Sequence, residues 1–135
     1  MNYVNTVTGP VAASELGRTL MHEHFLFGFC GFQGDATLGG FKEEEYTRDC
    51  LKAVEDARAY GINTIVDATT NECGRNVRFL KKISDMTGMN IICSTGYYFQ
   101  AESAYAYWNF RRGFANIEEE IYEMMVTELT KGIEG

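Results

Sequence analysis

Polar and apolar positions alternate near the start of the chain. Val4, Thr6 and Thr8 fall on one side, and Asn5, Val7 and Gly9 on the other. A period of two predicts extended chain, and Gly9-Pro10 reads as the turn of a hairpin over residues 3–16. The run from Thr19 to Phe27 is the next candidate strand. Residues 28–42 form a loop rich in glycine and phenylalanine. From Glu43 to Tyr60 the period changes to 3.6: Tyr46, Cys50, Leu51, Val54 and Ala57 share a face, and Gly61 stands where a left-handed C-cap belongs. Ile62 to Ala68 is rich in β-branched residues and predicts a buried strand. A second helix is expected over 76–87, with Val77, Leu80 and Ile83 inward and Gly88 as its cap. A third strand is expected over 90–96. An aromatic loop follows from Tyr97 to Phe114, and a last helix starts near Ile117, with Ile121, Met124, Met125 and Leu129 on one face.

The predicted order is a hairpin followed by three βα units, over about 18–60, 62–88 and 90–131, in one partial domain spanning 1–135. Strands that alternate with helices imply right-handed crossovers onto a parallel sheet. Such sheets are normally covered on both faces. A three-stranded one is therefore either a small open α/β domain or the first part of a barrel, whose eight units take about 250 residues.

Composition narrows the partners. The 135 residues carry 19 acidic and 12 basic side chains, a net charge of -7, and no basic cluster larger than Lys81-Lys82 or Arg111-Arg112. Nucleic acid is not an expected partner. Apolar runs are far shorter than the roughly 20 residues a membrane span needs, and no signal peptide is apparent, so a cytoplasmic protein is expected. Cys30, Cys50, Cys73 and Cys93 lack any CxxC pairing and read as reduced core thiols.

The chain has two histidines, His22 and His24, two apart in a predicted strand. Side chains at i and i+2 leave a strand on the same face, so the two imidazoles can converge on one metal ion. Two incidental histidines near a strand end is the plain alternative. A zinc site wants at least three protein ligands. Asp67 reads as a carboxylate that braces a loop, and Cys73 and Cys93 are possible soft ligands.

Taken together, Val7-Thr8-Gly9-Pro10-Val11 and Leu16-Gly17-Arg18-Thr19-Leu20-Met21-His22-Glu23-His24 resemble the opening of the phosphotriesterase family of the amidohydrolase superfamily. Ile65-Val66-Asp67-Ala68-Thr69-Thr70, Gly74-Arg75-Asn76 and Ser94-Thr95-Gly96-Tyr97-Tyr98 extend the resemblance over essentially the whole chain. It implies the N-terminal part of a (β/α)8 TIM barrel with a binuclear metal centre, often zinc. It implies hydrolysis of phosphotriesters, lactones or related esters. By the same resemblance His22 and His24 are ligands of the more buried metal, Tyr98 is a wall of the substrate pocket, and Asp67, Glu72 and Arg75 brace loops. The family's bridging lysine, two further histidines and catalytic aspartate lie on strands four, five, six and eight, and this chain has no position for them. Lys131 falls in the helix before strand four. No catalytic residue is therefore expected in the chain, which is expected to be inactive alone.

A short binding or self-assembling module, completed by a partner chain, is the other reading. Homo-oligomers are expected in either case. The aromatic residues from Tyr97 to Phe110 either pack over the barrel mouth and between helices or form a hydrophobic pocket or dimer contact. The loop over 28–41 is a candidate lid.

Overall fold

A computed structural model describes residues 2–29, 31–98 and 104–134. The expectations for Cys30 and Phe99, and for the side chain of Tyr105, lie outside the described residues. β1 (Tyr3–Thr6) and β2 (Gly9–Ala12) form the hairpin, with Tyr3 opposite Ala12 and Thr6 opposite Gly9. The turn is thus Val7-Thr8, not Gly9-Pro10. A contact distant in sequence sets it: the Val7 N–H donates to the carbonyl of Ile91 at 2.9 Å, which pins the turn beside β5. Inside the hairpin the Thr6 hydroxyl donates to the Gly9 carbonyl at 2.7 Å.

β3 (Arg18–Glu23), β4 (Ile62–Asp67) and β5 (Asn90–Cys93) form a parallel sheet in the order β3-β4-β5. Glu23, Asp67 and Cys93 are in register, so the three strands end at one rim. Each strand is shorter than its apolar run. β3 stops at Glu23 rather than Phe27 because the Phe25 N–H turns to the Asp67 carboxylate, at 3.0 Å. β5 stops at Cys93 rather than Gly96 because Ser94 and Thr95 turn their side chains to the Thr69 carbonyl and to Glu128.

α1 (Glu43–Ala59) and α2 (Val77–Thr87) cross over between the strands. α1 opens on three glutamates, which suit the positive end of the helix dipole. The Asn76 side chain caps α2 by accepting the Phe79 N–H at 3.1 Å. Gly61 and Gly88 close the two helices at φ 75° and 68°. The core lies between α1, α2 and the sheet: Val54, Ile65, Phe79, Leu80, Ile83, Met89 and Ile91. α3 (Ala104–Arg111) occupies part of the segment expected to be a loop, and α4 (Ile117–Lys131) follows it, with Lys131 as its last residue.

The architecture is a partial α/β unit with an open parallel sheet, matching the first three βα units of a barrel. Cys50, Cys73 and Cys93 are free thiols, and Cys50 and Cys73 are buried. No helix among the described residues is long and apolar enough to cross a membrane.

Candidate metal centre

The pairing of β3 with β4 slips between Leu20 and Glu23: three steps on β3 match two on β4. Such a bulge re-aims side chains. His22 lies inside it, and His24 lies one residue past the strand. The two imidazoles thus come together by a less regular route than the i, i+2 spacing of an ideal strand. The two rings meet edge to face with centroids 5.3 Å apart, and both residues are exposed at the rim.

Asp67 braces this rim from beneath. It is 1 % exposed and grips two backbone amides, Phe25 N–H at 3.0 Å and Thr69 N–H at 2.8 Å. One carboxylate thereby ties the turn after His24 to the turn after β4. Thr69, 2 % exposed, is the neighbour that sequence reasoning missed. Its hydroxyl lies 2.9 Å from His24 Nδ1 and donates to the Leu26 carbonyl at 3.0 Å. A threonine two residues past a buried aspartate was the only available sign.

An aromatic row continues from the histidines. Phe27 stands 5.1 Å from His24 and 6.1 Å from Tyr98, and Phe29 stands 5.4 Å from Phe27. Tyr98 is exposed, and Glu72 accepts its backbone N–H. Phe27 is the member of this row that the pattern did not single out. Gly28 and Phe32 are docked on the rim: Gly28 N–H donates to the Cys73 carbonyl at 3.0 Å, and Phe32 lies across Gly28 and Gly74. A Cβ at either glycine would come within 2.5 Å of that ring, so both positions need the missing side chain.

Arg75 braces as expected and does more. Its guanidinium forks onto Glu128 of α4 at 2.5 and 2.9 Å and donates to the Ser94 carbonyl at 3.0 Å. Burial works against the Glu128 carboxylate, but hydrogen bonds from Arg75 and Thr95 outweigh it and hold its pKa below the usual range.

Two of the thiols lie in surroundings that oppose their charged form. Burial, then the charge of Asp67, pushes the Cys93 pKa up to about 12. Burial, Asp49 and Asp67 push Cys50 up to about 11. Among the described residues no three His, Cys, Asp or Glu side chains converge on a possible cation position. The donors present nevertheless fit a metal as part of a set: two adjacent, exposed imidazoles at one strand end suit a borderline cation.

The family model of the phosphotriesterase family matches residues 2–135. An organophosphorus hydrolase from Deinococcus radiodurans shares 49 % identity and a TM-score of 0.92, over 98 % of this chain and 40 % of that one. A mutant PTE-like lactonase from the same organism shares 49 % identity and a TM-score of 0.90, over 97 % and 41 %. An aryldialkylphosphatase from Saccharolobus solfataricus is 29 % identical, over 93 % of this chain and 38 % of its own length. The chain spans about 40 % of the length of these relatives.

Proposed function

The chain belongs to the phosphotriesterase family, and from that premise we propose that it carries the first ligand pair of a metal-dependent hydrolase of phosphotriesters, lactones or related esters. The observation that carries this reading is the contact of His22 with His24 at the rim, with Phe27 and Tyr98 alongside. When bound, a divalent cation such as zinc would acidify a water and polarise the ester oxygen under attack. The residues of this chain hold and orient. His22 and His24 offer imidazole nitrogens, Asp67 and Thr69 fix the turn that presents His24, and the Phe27 and Tyr98 rings form an apolar wall for the ester's substituents. By the family resemblance the aspartate that shuttles the proton lies on a later strand, and we infer that the 135 residues alone are inactive.

The test pairs metal analysis with an assay. The 135-residue chain is dialysed exhaustively against zinc-free buffer, its zinc content is measured, and hydrolysis of a chromogenic phosphotriester and a lactone is followed. We expect little retained zinc, weak uptake on titration that disappears in His22→Ala and His24→Ala, and no turnover. Zinc-dependent turnover abolished by either substitution would overturn the claim of inactivity. Zinc uptake indifferent to both substitutions would overturn the ligand assignment.

A specific feature favours the second reading, a short binding or self-assembling module completed by a partner chain. An open cleft of about 290 Å³ runs between β3 and α1, lined by Leu20, Phe25, Cys50, Ala53, Ala57 and Ile65 together with Glu23, His24 and Asp49. Tyr107, Phe110, Phe114 and Leu129 are also exposed. Uncovered apolar area of this kind drives association, so sedimentation is expected to show an oligomer.

A further inference from the structure

We propose that Thr69 is a positioning residue that fixes the ring tautomer of His24, leaving Nε2 as the nitrogen with a lone pair for a metal. This deepens the metal-site reading above and rests on it.

The argument is one of proton accounting. A threonine hydroxyl has one proton to donate and can still accept. At Thr69 it makes two contacts, 3.0 Å to the Leu26 carbonyl and 2.9 Å to His24 Nδ1. A carbonyl only accepts, so the Leu26 contact takes the threonine proton. Both contacts are satisfied together only if His24 Nδ1 carries hydrogen and donates. In the neutral ring Nε2 is then bare. A neutral imidazole is also the form that binds metal. The opposite tautomer would aim an N–H outward and leave the Leu26 carbonyl without this donor.

The surroundings keep the hydroxyl from turning away. Thr69 is 2 % exposed, so water does not readily replace either partner. Its N–H is tied to Asp67 Oδ1 at 2.8 Å and its carbonyl accepts from the Ser94 hydroxyl at 3.4 Å. The other Asp67 oxygen holds Phe25 N–H, the residue after His24. One buried carboxylate thus positions both ends of the His24–Thr69 bond. A hydrogen-bonded partner on the far ring nitrogen is a general device for orienting a ligating histidine.

The experiment reads the ring nitrogens directly. Long-range proton–nitrogen correlation spectra of the 135-residue chain are recorded without metal at about pH 8.5, where an ordinary histidine is neutral. His24 is expected to show a protonated Nδ1 and a bare Nε2. Thr69→Ser keeps the hydroxyl and should keep this pattern. Thr69→Val should move His24 towards the Nε2-protonated form, leave the His22 signals in place, and weaken zinc binding about tenfold. An Nε2-protonated His24 in the unaltered protein would overturn the proposal, as would a Thr69→Val spectrum unchanged from it. If Thr69→Val does not fold, the unaltered chain and Thr69→Ser still decide. A protonated Nδ1 in a chain that takes up no zinc would overturn the weak uptake expected of the pair alone while leaving Thr69's hold on the ring established.

Discussion

Between Ile62 and Cys93 the chain buries Ile65, Phe79, Leu80, Ile83, Met89 and Ile91 almost completely. Between Ala104 and Glu134 only Ile117 among the described side chains is buried, while Phe110, Phe114, Tyr122 and Leu129 stand exposed. The first region is held by apolar contact, dense and without direction. The second adds paired charges to a thin apolar contact. Arg75 forks onto Glu128, and Arg111 forks onto Glu120 while lying over the Tyr107 and Phe114 rings. The rim residues Asp67 and Thr69 belong to the first region, and Tyr98 sits where the two meet. This contrast decides which part keeps the histidines in place. The inner unit sets their geometry, and the outer helices are fastened on through a few paired groups.

The sharpest way to break the inner unit is to open a hole in it. Ile83 is 0 % exposed, on the face of α2 that packs against the sheet. Ile83→Ala should cost about 4 kcal/mol, for lost transfer energy plus the cavity. Urea denaturation measures it. Because the same core carries β4, the His24–Thr69 bond should loosen as well. A cost below about 1 kcal/mol would show that the unit is not close-packed.

Cutting the fork tests the outer region. The Arg75 and Glu128 side chains are 7 % and 12 % exposed, so Arg75→Ala strands a carboxylate with little water around it. Such a break costs about 3 kcal/mol. Hydrogen exchange should show α4 losing protection while α2 and β5 keep theirs. Acid should do the same more gently. The Glu128 carboxyl titrates below its usual range when folded. Its contribution is therefore complete above the ordinary glutamate value, near pH 4.5, and is lost as pH falls through the lower folded value. Trp108, which stacks edge to face on Tyr97, reports this release by fluorescence during an acid titration. Simultaneous loss of α4 and the core would mean that the two regions form one cooperative unit.

The same division explains what was legible in the sequence. The span of α1, the start of α4 at Ile117, and the caps at Gly61 and Gly88 follow from local periodicity and single-residue conformation. The nearness of the His22 and His24 rings and the bracing role of Asp67 were also visible, since spacing and position suffice. What escaped depends on contacts distant in sequence. The hairpin turns at Val7-Thr8 because Val7 meets Ile91, more than eighty residues on. The bulge at His22 is a property of two strands together. Thr69 acquires its role from His24, 45 residues earlier. α3 was hidden because Ala104 to Arg111 is mostly aromatic and alanine, without a clean polar face. Arg75 could be read as a brace, but its partner Glu128 could not.

The smallest expected effect discriminates most finely. Leu129 lies one residue from Glu128 on α4 and is 66 % exposed. If the outer region is held by its polar fastenings, Leu129→Ser removes little contact and should change stability by no more than about 0.5 kcal/mol. Its neighbour would then matter several times more than it does, although both lie on the same turn of helix. A loss near 2 kcal/mol, measured in the same denaturation series, would mean that Leu129 is covered in solution, by a second copy or by further polypeptide. Repeating the measurement across a hundredfold range of protein concentration separates these causes. Only association between copies makes the effect of the substitution depend on concentration. An effect that is large and independent of concentration would place Leu129 against its own chain and erase the contrast between the two regions.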